Sequence, residues 1–433
     1  MKKLTPATAY QRLPRRAFLK AVSALAVAPA VVPAAALGRD GVVAPSNRLT
    51  LAVIGLGNRN ISNLGHFLAQ PDVQCVTVCD CFADRRARGK KLVDDHYGNQ
   101  DCEAARFHEE ILARKDIDAI LIATGDRWHS VLSILAARAG KDVYCEKPFC
   151  LTIGEGRELA QTMKRFGTVW QCGTQRRSNS AYRFVAEGVK AGLVGRLRTI
   201  TMSFGPWGGN GVAKPEPAPA PEVFDYDRWL GQAPWAPYSR VRVALWRNNW
   251  DTSAGPIVDM GPHYLDIAQW AHDSEFSGPV EFEGEATWPE PGGIANVPFV
   301  VNVQARYADG VRVLMDSGPK GVRFTGDEGW VQISDAGEIT AAPASILRAK
   351  SAPQVDWSLM NDHVRNFLNC IKSRRLTVSH PELAQRAHTA AHCANLCLRL
   401  GRKLRWDPLR EHFVNDPDAI RFLSRSMRVP WNV

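Results

Sequence analysis

The chain has 433 residues, 45% of them hydrophobic and 23% charged, with a formal net charge of +10. That length exceeds what one hydrophobic core organises and predicts roughly two domains, and the composition is that of a globular chain rather than a disordered one. The charge does not mark a nucleic-acid binder. Lys2, Lys3, Arg12, Arg15, Arg16 and Lys20 fall within residues 1–36, where no acid stands, and the remaining +4 is spread over segments of both signs.

Residues 1–36 read as a removable address: a basic stretch, an apolar run from Ala21 to Val32, then Ala34, Ala35 and Ala36 at a cleavable position. The run is short for a bilayer span. Arg15-Arg16-Ala17-Phe18-Leu19-Lys20 resembles the bacterial twin-arginine signal, although Pro14 stands where Ser or Thr is usual. The expectation is export of a folded, cofactor-loaded protein to the periplasm, with the twin-arginine machinery as a partner; a Sec signal or an uncleaved anchor competes with it. A connector over residues 37–47 follows. The ten cysteines show neither a disulfide framework nor paired CxxC motifs, so no metal site is expected.

Beyond the connector, strand and helix alternate. Leu49–Gly55, Val73–Cys79, Ile117–Ala123 and Val143–Cys145 are apolar, strand-like runs, while Ile61–Leu68, Val131–Ala139 and Ile153–Phe166 have helical spacing, and Val169–Cys172 closes the series. This alternation predicts a doubly wound parallel sheet over residues 48–172. From about Gly173 the texture changes. Val280–Trp288, Phe299–Tyr307, Val311–Asp316 and Gly329–Ser334 read as neighbours in a large, open, mostly antiparallel sheet, with helices Asn361–Ser373 and Pro381–Leu400 packed on it, which makes residues 173–433 a second α/β domain.

Gly55-Leu56-Gly57-Asn58-Arg59-Asn60 joins the first strand to the first helix in a GxGxxG-like pattern whose last position is Asn60. Two glycines there let the backbone approach a pyrophosphate at a helix N-terminus. A lone glycine pair is weak, but Asp80 ends the next strand at the offset of a ribose-binding carboxylate. Asp80 favours NAD, and Arg85 and Arg86 leave NADP open.

Cys145-Glu146-Lys147-Pro148 follows a strand at the carboxyl edge of the sheet, where open α/β folds bind ligands. Together with AVIGLGNRN, IATGDRWH, AGKDVYCEKPF, GTQRRS and SAGPIVDMGPHYLDIAQW, in that order, it resembles the Gfo/Idh/MocA oxidoreductases over about Arg48 to Trp431. The resemblance implies a Rossmann domain followed by an α/β domain whose open sheet often mediates homo-oligomers. It implies Lys147, Asp259 and His263 as the catalytic set, Lys147 beside a cis Pro148. Asp126, Trp128 and His129 would line the nicotinamide side, Thr124, Glu146, Lys147 and Pro148 would also contact the cofactor, and Gln175 and Arg176 would contact substrate. Gly125 and Arg127 depart from the residues common in that loop. Asp259 and His263 are four apart and so share one helix face, with Pro262 in the first turn.

The reading is hydride transfer at a hydroxyl of a sugar, cyclitol or glycoside, with His263 as acid/base and Lys147 stabilising the alkoxide. One alternative uses the same oxidation transiently, with a tightly held cofactor, for net glycoside hydrolysis or lysis. Another is a nucleotide- or sugar-binding protein without turnover. Several tryptophans of the second domain suit sugar faces, and none is singled out.

Overall fold

The computed structural model describes residues 43–348 and 363–432. Residues 1–36, where an export signal is expected, lie outside the described residues. Ala44 to Arg48 form a short 3-10 turn, Pro45–Asn47.

From Leu49 the alternation builds β1 (Leu49–Ile54), α1 (Asn58–Leu68), β2 (Val73–Cys79), α2 (Ala83–Tyr97), β3 (Glu103–Ala105), α3 (His108–Ala113), β4 (Ala119–Ile122), α4 (Asp126–Arg138), β5 (Asp142–Cys145), α5 (Ile153–Phe166) and β6 (Trp170–Cys172). The strands lie in the order β3-β2-β1-β4-β5-β6, every ladder parallel. β1, β4, β5 and β6 are almost wholly buried, as strands covered on both faces must be, hence their unbroken apolar runs. Helix ends follow local chemistry: Thr152 accepts from Glu155 N at 3.1 Å to start α5, and Gly167, at φ +65°, ends it.

The second sheet follows α6 (Ser180–Lys190). Its members are β7 (Leu197–Ser203), then, after α7 (Tyr226–Leu230), α8 (Arg240–Ala244) and α9 (Pro256–Ala271), the strands β8 (Glu281–Thr287), β9 (Val300–Arg306), β10 (Arg312–Asp316), β11 (Gly321–Gly326), β12 (Trp330–Ser334) and β13 (Ile339–Ala342). After α10 (His363–Ser373) and α11 (Pro381–Leu400), β14 (Leu404–Asp407) and β15 (His412–Phe413) complete nine strands in the order β13-β12-β11-β7-β10-β9-β8-β14-β15. Only β7 and β10 pair in parallel. Ile200, Met202, Val303, Val313, Met315 and Phe324 bury one face of this sheet against α9 and α11.

Two expectations are corrected. Helix α10 does not lie on the antiparallel sheet: Val364, Phe367, Leu368 and Cys370 join the core of the parallel sheet with Leu51, Phe67 and Tyr144, and Phe367 sits edge-on to Phe67 and Tyr144 at 6.2 and 5.8 Å. Its apolar stripe shares that core with Leu64, Phe67 and Leu68 of α1, and Arg365 fixes it through a forked bond to Asp72 at 2.6 and 2.9 Å. Pro262 also lies inside α9 rather than in its first turn, because Pro256 takes that place at N1.

Candidate active site

The turn after β1 is a cradle. Gly55 has φ +86°, and a side chain there would meet Ala123 O at 2.6 Å, so only glycine fits. Asn60 reaches back to Gly55 O at 2.5 Å, holding the loop closed where the pattern lacks its third glycine. Gly57 caps α1, and a Cβ built on it meets nothing within 4 Å, which leaves open space over the helix N-terminus suited to a pyrophosphate. Asn58 accepts from Arg88 at 3.3 Å. Asp80, at the end of β2, accepts from Leu56 N at 2.6 Å and Phe82 N at 2.9 Å. A cleft of about 490 Å³ runs from here, lined among others by Gly57, Asp80, Arg85, Thr124, Trp128 and Arg247. These residues fit a dinucleotide.

After the carboxyl end of β5, on the same edge of the sheet, Lys147 precedes a cis peptide to Pro148. Its Nζ donates to Asp259 O at 2.7 Å and lies 3.4 Å from Asp259 Oδ1. Asp259 stands in the first turn of α9 and His263 one turn further on the same face. His263 is buried with no partner on Nδ1; burial first, then the cations Arg176, Lys147 and Arg59, hold its pKa well below the ordinary imidazole value. Asp126, at the start of α4, accepts from Ser253 Oγ at 2.6 Å. Burial and the facing Asp259 carboxylate push its pKa up to about 6.

Glu146 is a hub. Its Oε1 accepts from Arg59 Nε at 2.9 Å, Asn63 Nδ2 at 2.9 Å and Gln175 Nε2 at 2.8 Å, and a Cβ on Gly173 would strike its carboxylate at 2.7 Å. Gln175 donates also to Tyr144 Oη at 2.9 Å. Arg176 donates to Tyr182 Oη at 3.2 Å, pairs with Asp335 and lies 4.8 Å from the Tyr264 ring. Trp128 donates to Arg228 O at 2.8 Å, its ring on the cleft wall.

Of the residues expected at the site, the fold therefore gathers Lys147, Asp259 and His263, with Arg176 and Asp126 close enough to act on their charges. It turns Glu146 and Gln175 toward each other, and points His129 Nδ1 at Pro148 O, 2.7 Å away. Arg247 was not foreseen. It lines the cleft, stacks on its neighbour Trp246 at 4.2 Å and reaches within 3.8 Å of Asp259 Oδ1, a tertiary contact that no local motif announces.

Residues 49–174 match the model of an oxidoreductase family's NAD-binding Rossmann fold, and residues 189–433 match that family's C-terminal alpha/beta domain. The chain belongs to the Gfo/Idh/MocA oxidoreductase family. It is 23% identical over 274 residues to a myo-inositol 2-dehydrogenase of Thermotoga maritima, covering 63% of this chain and 70% of that one. It is 36% identical over 121 residues to a glycosyl hydrolase family 109 protein of Saccharopolyspora erythraea, a stretch that covers 27% of this chain and only 26% of that relative. Among solved structures, a dehydrogenase of Bordetella pertussis in complex with NADH and UDP-GlcNAcA shares the family fold, with a TM-score of 0.62 at 15% identity over 83% of this chain and 99% of that one.

Proposed function

We propose that this chain oxidises or reduces a hydroxyl-bearing carbon of a sugar, cyclitol or glycoside by hydride transfer. The observation that carries the reading is the meeting of the Lys147 ammonium with Asp259, one helical turn from a neutral, buried His263. A bound nicotinamide supplies the hydride acceptor or donor. In the oxidative direction His263, kept in its base form by burial, takes the hydroxyl proton as the carbon gives up hydride and the carbonyl forms. Lys147 donates a hydrogen bond to the oxygen as negative charge develops on it. Asp259 holds Lys147 and balances the imidazolium once formed.

Asp80 on the cleft wall supports NAD, and Arg86 is spent on backbone carbonyls, donating to Asp80 O at 2.7 Å and Glu222 O at 3.2 Å, while Arg85 on the same wall leaves NADP open. The likeness to a dehydrogenase of myo-inositol supports a polyol or sugar substrate. Export by the twin-arginine route belongs to the same proposal and rests on residues 15–20.

Stopped-flow absorbance near 340 nm with NAD and a panel of aldoses, myo-inositol and aryl glycosides tests the reading. A substrate-dependent change is expected in the wild type and none in the Lys147→Ala, His263→Ala double variant; its persistence there removes the site assignment. A second reading, net glycoside hydrolysis through transient oxidation, is favoured by the glycosyl hydrolase family 109 likeness. It predicts that aryl glycosides are cleaved with no net change at 340 nm, and that denatured protein releases a bound nucleotide identifiable by mass.

A further inference from the structure

Two buried imidazoles grip the backbone immediately after Lys147. His129, on α4, lies with Nδ1 2.7 Å from Pro148 O, so Nδ1 carries the proton it donates there. His388, on α11, accepts from Phe149 N at 3.3 Å through Nε2 and donates to Ala384 O at 2.7 Å through Nδ1. Their partners thus assign the same neutral tautomer to both rings. Burial keeps them neutral, lowering the pKa to about 4 for His129 and about 3 for His388. The Phe149 ring is held edge-on between His388 at 4.4 Å and Trp170 at 5.1 Å. One clamp residue belongs to the parallel-sheet half. The other stands on α11, which packs against α9, the helix of Asp259 and His263.

We propose that His129 and His388 are positioning residues: by holding the carbonyl of Pro148 and the N–H of Phe149, they aim the Lys147 ammonium at Asp259 and the substrate hydroxyl. A buried N–H deprived of its acceptor shifts to find another, and a displacement of about 1 Å at a reacting group costs on the order of 100-fold in rate. The hydrogen bonds of the two rings go to Pro148, Phe149 and Ala384, not to His263. The kinetic consequence rests on the hydride-transfer reading above.

The test pairs variants that keep or remove the hydrogen bond. In His388→Gln the amide oxygen can stand where Nε2 accepts, and in His129→Asn the amide nitrogen can stand where Nδ1 donates; His388→Leu and His129→Leu fill space without either function. The readouts are kcat and KM with NAD and whichever aldose, myo-inositol or aryl glycoside the wild type turns over, with melting temperature as a check on folding. The leucine variants are expected to lose roughly 10- to 100-fold in kcat with KM for the sugar within about twofold, and the amide variants to recover most of that loss. Leucine variants that keep wild-type kcat, or amide variants that recover nothing while melting normally, overturn the proposal. Lys147→Ala, run alongside, judges the hydride-transfer reading separately. If no panel member is turned over, 15N spectra of the histidine rings at pH 7 decide the clamp: Nδ1-protonated neutral signals at both positions support it, and an Nε2-protonated or charged ring at either overturns it.

Discussion

The two ends of the site differ in which polar groups they leave unpaired. At the dinucleotide end, Asp80 accepts two backbone amides, Asn60 ties the loop to itself and Glu146 takes three donors. At the reacting end, His263 Nδ1 is enclosed without a partner, and burial together with the facing Asp259 presses the Asp126 carboxylate toward neutrality. A binding scaffold gains from groups whose mutual bonds fix its shape in advance, whereas chemistry needs groups that can still gain or lose a proton. Each end leaves atoms unpaired, Asn60 Oδ1 and Arg127 Nη1 at the dinucleotide end and His263 Nδ1 at the reacting end, and only the last sits on a ring that exchanges a proton.

The contrast breaks most visibly at Lys147. Lys147→Ala should lower the rate of hydride transfer by roughly 10²- to 10³-fold with little change in melting temperature, measured by stopped-flow absorbance. If instead stability falls and rate does not, the reacting end is structural. The converse holds for Arg177, which forks onto buried Asp266 at 2.8 Å and reaches Glu275 at 2.7 Å. Arg177→Met strands Asp266 and should cost about 3–5 kcal/mol in urea unfolding, because a buried carboxylate loses its counter-charge. Gly55→Ala should destabilise by about 1–3 kcal/mol, through its left-handed φ and the clash with Ala123 O, and should weaken NAD binding as read by fluorescence titration.

Acid should act next. His129, at about 4, and His388 and His392, at about 3, refuse protons in the fold that the unfolded chain accepts below about pH 6.5. The unfolded state therefore binds more protons between pH 6.5 and those values, so stability rises with pH across that window and is progressively lost as pH falls through it. The urea midpoint should drop from pH 7 to pH 5, and less so in His388→Gln. Smallest is the exposed Lys91–Asp95 pair, 2.7 Å apart on α2, where Lys91→Ala should change unfolding by no more than about 0.5 kcal/mol.

The parallel sheet was legible because most of its crossovers combine a continuous apolar strand with a helix of 3.6-residue period, and Gly55, Gly57 and Asp80 punctuate it where ligand chemistry demands. β3, only three residues long, and α2, whose sequence ADRRARGKKLVDDHY is largely polar, carry too little apolar pattern to be seen. β7 went unread for another reason: it pairs with β10 and β11, more than a hundred residues away, and such pairing leaves no local trace. At the site, residue types were readable and directions were not. Nothing in the string GDRWH tells that His129 faces Pro148 O, since that depends on how α4 sits against the turn after β5.

The seating of α10 on the parallel sheet has a practical consequence for anyone dividing the gene. Residues 49–174 match a family domain of their own, yet a fragment ending there would bare the greasy seat that Val364, Phe367 and Leu368 occupy and leave Asp72 without Arg365. Such a truncation is expected to aggregate on expression, and co-producing the remainder of the chain should restore it to the supernatant.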